Sequence, residues 1–262
     1  MTFADIGDRL FLEATAGPNL TIDGPFANGL GAGADNLVVR ARDVVLKTVS
    51  ATAAASSAFH LRLTKNLPLA SGIGGGSADA AAAIRLLAAR LGVDVSTLSE
   101  VASSLGSDVP ACLESRPVTA TGRGDILQAP PSFPQLHAVL VNPGVASPTA
   151  EVYHAYDSAP SPRGADCPWP KAKLESARDV VRFLADCRND LEDPAVRLKP
   201  RIGDVLAFLR GRPESLLARM SGSGATCFAL VEDANAADSL VSRIAERESH
   251  WWVMRTILEG AP

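Results

Sequence analysis

The stretch from Pro68 to Ala83, PLASGIGGGSADAAAA, limits what this chain can fold into more than any other segment. Gly74, Gly75 and Gly76 stand in a row, followed by Ser77 and a run of small residues. Without side chains, such a loop can take positive φ angles and bring several backbone N–H groups to one anion. Downstream, Ile84, Leu87, Ala88 and Leu91 recur at i, i+3, i+4 and i+7, which predicts a helix from about Ser77 to Leu91. That helix aims its free N–H groups and the positive end of its dipole back at the glycines. Ser77 is placed to cap it, with a hydroxyl in reach of a phosphate or a metal-bound water. The plainer alternative is a flexible turn feeding a helix. Linker glycines rarely run into so strong a helix without a polar break, so the phosphate cradle is the better reading.

The two most familiar phosphate loops do not fit. A Walker loop needs GxxxxGK[ST], and no lysine stands where it requires one. A dinucleotide fingerprint needs GxGxxG; Gly72 and Gly74 fit, but the last position is Ser77, and no acidic residue closes the next strand.

The rest of the chain sets the loop in an α+β frame. Residues 8–22 hold two alternating apolar runs around Gly17-Pro18-Asn19, predicting two strands joined by a turn. LVVRARDVVLK, from Leu37, has a helical face, with Asp35 or Asn36 as its N-cap. FHLRLT, 59–64, alternates as a strand, and Ser96–Leu105 reads as a short helix ending at Gly106. APPSFP, 129–134, is the best candidate junction, dividing the chain into 1–130 and 131–262. Beyond it come a strand at 136–142, a Pro-, Ser- and Gly-rich surface loop at 158–173, and helical periodicity near Ala177–Ala185 and Val205–Leu209. A strand at 225–231, a helix at about 236–247 and a strand at 250–258 close the chain. At 262 residues, 47% hydrophobic and 21% charged, the chain is long enough for two cores. A net charge of -4 advertises no nucleic-acid surface, and no apolar run is long enough to span a membrane. Cys112, Cys167, Cys187 and Cys227 form no CxxC pair or zinc spacing; scattered thiols suit a reducing cytoplasm. None of His60, His137, His154 and His250 is assigned a catalytic role.

The loop resembles the second motif of the GHMP kinase superfamily (galactokinase, homoserine kinase, mevalonate kinase and relatives). Further stretches agree in order: ADNLVVRA at 34–41, SLGSDVPACL at 104–113, NPGVASPTAEVY at 142–153, NDLEDPA at 189–195 and MSGSGATCFAL at 220–230. In the GGGS-A-D-A-A form they are most similar to the branch acting on a cytidine-diphosphate-linked methylerythritol. The resemblance implies a two-domain fold, with an S5 domain 2-like N-terminal domain that binds ATP and a ferredoxin-like C-terminal domain. It implies phosphorylation of the substrate's 2-hydroxyl with ATP and Mg²⁺, in non-mevalonate isoprenoid precursor synthesis, by a cytoplasmic monomer or homodimer without nucleic-acid or membrane partners. Other alcohols, of the homoserine or mevalonate type, are the runner-up, and a nucleotide-binding relic is the non-enzymatic alternative.

Carried over residue by residue, Asp108 is the implied catalytic carboxylate; on spacing alone it is a turn residue between Gly106 and Pro110. Pro68, Leu69, Ala70, Ser71, Gly72, Ile73, Gly74, Gly75, Gly76, Ser77 and Ala78 form the implied nucleotide loop. Asn36 and Leu37 are implied at the adenine, against a helix cap and a core residue. Lys65 either brings positive charge to the nucleotide or is a solvated strand-end lysine. Thr149, Gly222, Ser223 and Gly224 are implied on the substrate side, against loop capping and a plain turn. No protein metal ligand is readable, though Ser77 is a candidate. Members of the superfamily branch also carry an N-terminal segment with a lysine-asparagine pair and a Gly-Tyr-His stretch. Met1-Thr2-Phe3-Ala4-Asp5 corresponds to the residues just beyond that segment, so a start placed too far downstream, or a shortened protein, and weak turnover by these 262 residues are the expectations.

Overall fold

The computed structural model describes residues 1–13, 18–49, 59–124, 126–159, 170 and 173–261. The chain divides into two units. The first comprises Met1, Gly7–Leu69 and Gly74–Gln128; the second comprises Thr2–Ile6, Ala70–Ile73 and Ala129–Pro262.

The first unit runs β1 (Arg9–Glu13), β2 (Leu20–Asp23), α1 (Leu37–Val49), β3 (His60–Thr64), α2 (Gly75–Leu91), α3 (Ser99–Leu105) and α4 (Val109–Glu114), then the short pair β4 (Thr119–Thr121) and β5 (Ile126–Gln128). A 3-10 turn, Val95–Leu98, leads into α3. The strand order is β1-β3-β2. β3 is antiparallel to β1, with Arg9 opposite Thr64, and parallel to β2, with Leu20 opposite Leu61. The two early strands are present, but they are not a hairpin. Alternation identifies a strand without naming its partner, and the parallel β2–β3 pair needs a crossover, which α1 supplies. Gly17, in the expected turn, lies outside the described residues.

Leu61 and Leu63 of β3, Ile84 and Leu87 of α2, and Val38 and Val45 of α1 are buried together as the core of this unit. On α2 the apolar stripe falls where the spacing puts it, and its alanines Ala80, Ala81 and Ala83 are fully buried, letting α1 and α4 pack closely. His60 is structural: its ring nitrogens contact the Pro18 carbonyl at 2.8 Å and Thr21 Oγ1 at 2.9 Å.

The second unit runs β6 (Leu136–Asn142), α5 (Thr149–Ser158), α6 (Ala177–Ala185), α7 (Glu192–Leu198), α8 (Pro200–Arg210), β7 (Leu217–Met220), β8 (Cys227–Val231), α9 (Ala234–Arg247) and β9 (Trp252–Leu258). Its sheet is antiparallel in the order β7-β8-β6-β9. A strand, helices, two adjacent strands, a helix and a last strand in that order make the ferredoxin-like split βαβ arrangement. β6 is buried on both faces, as a central strand with two covered sides should be. Val139 and Val141 join Ile202, Leu209, Leu240 and Ile244 on one side; Ala138 joins Phe133, Leu174 and Val180 on the other. On α9, Ala237, Leu240 and Ile244 of the expected stripe are buried. The N-terminal segment closes one end of β9: the Asp5 N–H donates to the Ile257 carbonyl at 3.1 Å, and the Ile257 N–H to the Asp5 carboxylate at 3.0 Å. Of the expected loop at 158–173, most lies outside the described residues.

Cys112 and Cys227 are buried free thiols, pushed by burial up to about 11 and about 12. Cys187 is disulfide-bonded, contrary to the reading of all four cysteines as reduced thiols.

Candidate active site

Ala70 to Gly74 leave the carbonyl and amide sides of one loop in different circumstances. The Ala70 carbonyl accepts the Ser147 N–H at 3.3 Å, the Ser71 carbonyl accepts the Thr226 N–H at 3.0 Å, and the Gly72 carbonyl accepts Ser221 Oγ at 2.9 Å. All of these partners lie in the second unit. The N–H groups of Ser71, Gly72, Ile73 and Gly74 donate to nothing among the described residues. Three successive acceptors are thus held away while the adjacent donors are left open, which is what an anion cradle requires. Gly72, at φ +73°, is pressed so close to the 221–224 turn that a Cβ there would stand 2.5 Å from the carbonyls of Ser221 and Gly224.

The loop continues directly into α2, whose first N–H groups have no partner within the helix. Gly74, at φ 71°, occupies the N-cap, and no side chain caps this end. Ser77 is therefore not the cap: it lies in the first turn, because glycines accept the left-handed entry that lets the helix begin at Gly75. Its hydroxyl makes no hydrogen bond within the described residues.

Lys65 is neither solvated nor free. Its side chain, 4% exposed, is held between the carboxylates of Asp8 and Asp79, 3% and 8% exposed, with Asp79 Oδ2 at 2.8 Å. The other Asp8 oxygen accepts the N–H groups of Asn66 at 2.6 Å and Leu67 at 2.9 Å, fixing the strand exit that leads to the loop. Burial pushes the Asp79 carboxyl up to about 6; Lys65 works against that rise and the charge of Asp8 adds to it.

Asn36 caps α1. Its Oδ1 accepts the Val38 N–H at 2.9 Å, and its Nδ2 donates to the Gly31 carbonyl at 2.8 Å. One amide hydrogen and one lone pair remain. Leu37 is half-buried and lies 3.7 Å from where a Cβ on Gly76 would be. Asp108 sits at the N-cap position of α4 without capping it, half-buried, and its carboxylate makes no hydrogen bond or ion pair among the described residues. α4 packs on α2, and Arg85 of α2 donates to the Cys112 carbonyl at 2.7 Å.

In the second unit, Thr149 does not cap its loop: Thr149 Oγ1 lies 2.9 Å from Ser223 Oγ. Ser147 Oγ donates to the Ser223 carbonyl at 2.8 Å, and Asn189 Nδ2 spans the carbonyls of Met220 at 3.0 Å and Gly222 at 2.8 Å. Gly222 and Gly224 take φ of 53° and 82°. Lys65, Gly74, Gly75, Gly76, Ser77, Ala78, Asn36, Leu37 and Asp108 thus lie in the first unit, with Pro68 and Leu69; Ala70, Ser71, Gly72, Ile73, Thr149, Gly222, Ser223 and Gly224 lie in the second. Asp8, Asp79, Ser147, Asn189 and Ser221 were not singled out from sequence. A lone acid inside an alanine run was the one available signal for Asp79.

No group of three or more potential metal-binding side chains occurs among the described residues, and no helix there is long and apolar enough to cross a membrane. A magnesium ion held mainly by nucleotide phosphates and a single hydroxyl suits this donor set.

Two family models match, described as the GHMP kinases N terminal domain over residues 36–116 and the GHMP kinases C terminal over residues 172–250. The chain is 48% identical over 258 residues to the 4-diphosphocytidyl-2-C-methyl-D-erythritol kinase of Caulobacter vibrioides (strain NA1000 / CB15N), covering 97% of this chain and 88% of that protein. It is 49% identical to the enzyme of the same name from Caulobacter sp. (strain K31), over 99% and 89% of the two. A crystal structure of 4-(cytidine 5'-diphospho)-2C-methyl-D-erythritol kinase superposes with a TM-score of 0.76 at 29% identity, over 99% of this chain and 89% of that one. With both models in order and identity sustained along nearly the whole chain, this protein belongs to the GHMP kinases, as a small-molecule phosphotransferase whose near relatives are 4-diphosphocytidyl-2-C-methyl-D-erythritol kinases.

Proposed function

We propose that this kinase transfers the γ-phosphoryl group of ATP to the 2-hydroxyl of 4-diphosphocytidyl-2-C-methyl-D-erythritol, in isoprenoid precursor synthesis by the non-mevalonate route. The observation that carries the reading is the loop whose carbonyls are tied off and whose amides are open, continuous with the uncapped start of α2. The substrate after which the relatives are named supplies the acceptor. Residues 1–130 serve as the ATP-binding domain and 131–262 as the C-terminal domain, in a cytoplasmic monomer or homodimer.

Pro68 to Ala78 hold the phosphates, with the amides of 71–74 and the first turn of α2 as donors. Asn36 offers its remaining hydrogen-bonding capacity to the adenine, and Leu37 offers its apolar surface. Lys65 acts from beneath the loop. Asp108, with no competing partner among the described residues, accepts the proton of the attacking hydroxyl or orients that hydroxyl toward phosphorus. Its contribution lies in placement and in stabilising charge as the proton departs. Thr149, Gly222, Ser223 and Gly224 position the alcohol. Ser77 and the phosphates would hold Mg²⁺, which neutralises charge on the β- and γ-phosphates.

A coupled ADP-release assay tests the substrate: turnover is expected with the cytidyl alcohol and not with homoserine or mevalonate. ADP formed only with one of the latter overturns the assignment. Asp108→Asn should lower kcat by about 10²- to 10⁴-fold with little change in KM for ATP. An unchanged kcat removes Asp108 from the chemistry.

A further inference from the structure

Asp8, Lys65 and Asp79 form a cluster of three buried, paired side chains. They come from three places in the first unit: the segment before β1, the residue after β3, and the second turn of α2. Burying ions costs free energy even when they are paired, and apolar replacements of like volume are often neutral or stabilising. This cluster carries two negative charges against one positive, so stability alone is a poor reason for it. Its position suggests another. A Cβ on Gly75, the first residue of α2, would stand 3.4 Å from Lys65 Nζ and 3.6 Å from Asp8 Oδ2, so the cluster lies directly under the start of the helix. Asp8 also grips the amides of Asn66 and Leu67, the last turn of chain before Pro68. One end of the phosphate loop is therefore tied to Asp8 and the other to Asp79, and Lys65 joins the two.

We propose that Asp8 and Asp79 are positioning residues of the phosphate loop, which hold the Lys65 ammonium beneath Gly75 and so set the distance between the end of β3 and the first turn of α2. The inference rests on reading that loop as the nucleotide cradle. The span between the ends governs how the amides between them converge on an anion, and the ionised Asp79 carboxylate is the link that can be removed with least change of shape.

The test is ADP binding by calorimetry to the whole protein and to Asp79→Asn, with affinities expressed per fully ionised ADP. At about pH 7.5 the variant should bind ADP about tenfold more weakly, while melting no lower than wild type. Equal affinities, or tighter binding by the variant, overturn the proposal. If Asp79→Asn does not fold, Asp8→Asn decides by the same comparison: weaker ADP binding supports the proposal and equal binding overturns it. Wild-type protein that binds no ADP refutes the reading of the loop itself, and the proposal falls with it.

Discussion

Asp79 keeps its charge at neutral pH in a place that disfavours charge, and the consequence for stability has a definite sign. A carboxyl raised from 3.8 to about 6 binds its proton more tightly folded than unfolded. Stability from this group is therefore highest at low pH, falls as pH rises from about 4 to about 6, and stays reduced above that. Asp79→Asn cannot ionise and escapes the penalty. At neutral pH it should be more stable than wild type by an amount on the order of 2 kcal/mol, an advantage that shrinks to nothing as pH drops toward 4. Urea unfolding at a series of pH values measures it; a gap that does not close at low pH contradicts the assignment of this carboxyl. A buried acid that weakens the fold and strengthens nucleotide binding would be a case of function held at the expense of stability.

At the scale of elements, the same residue type does different work two positions apart. Gly72 and Gly74 both have left-handed φ angles, +73° and +71°, but only Gly72 is crowded; a Cβ on Gly74 meets nothing within 4 Å. Gly74→Ala should cost about 1 kcal/mol, for the φ angle alone. Gly72→Ala must also part the loop from the 221–224 turn, and should cost well over about 2 kcal/mol, as guanidinium unfolding would show. The phosphate loop, α2, β6 and α9 were legible in the sequence because glycine clustering and apolar period are local properties. β4, β5 and β7 were not: three or four residues are too few to establish alternation, and Arg219 interrupts β7. The early strands were found and wrongly paired, since pairing depends on a β3 that lies some forty residues further on. Asp79 was invisible for a similar reason: its meaning comes from Asp8 and Lys65, which only folding brings to it. Ser77 was misplaced by a single turn, because capping preferences favoured a serine where left-handed glycine sufficed.

For the molecule as a whole, sequence order and structural membership do not coincide. The second unit is built mainly from Ala129 onward, yet it includes Thr2–Ile6 and Ala70–Ile73. The junction at Ala129–Pro134 marks where the chain enters that unit for its long final run; it does not mark a self-sufficient piece. A fragment of residues 129–262 lacks the strand-edge bonds that Asp5 and Phe3 give to Ile257 and Glu259, and the carbonyl contacts of Ala70, Ser71 and Gly72. It should unfold at a lower urea concentration than the same unit does in the whole chain, by tryptophan fluorescence. Identical midpoints would mean that the two short segments add nothing to the unit's stability.

The clasp between Asp5 and β9 also fixes a timetable. Asp5 and Thr256, which share a short hydrogen bond, are separated by 251 positions, and Thr2 and Glu259 by 257. At a translation rate of about 5–20 residues per second, the early segment waits on the order of 10–50 s for the strand it will border. The second unit cannot acquire its finished edge until Thr256 and Glu259 have been made, so residues 2–5 find their place well after they are translated.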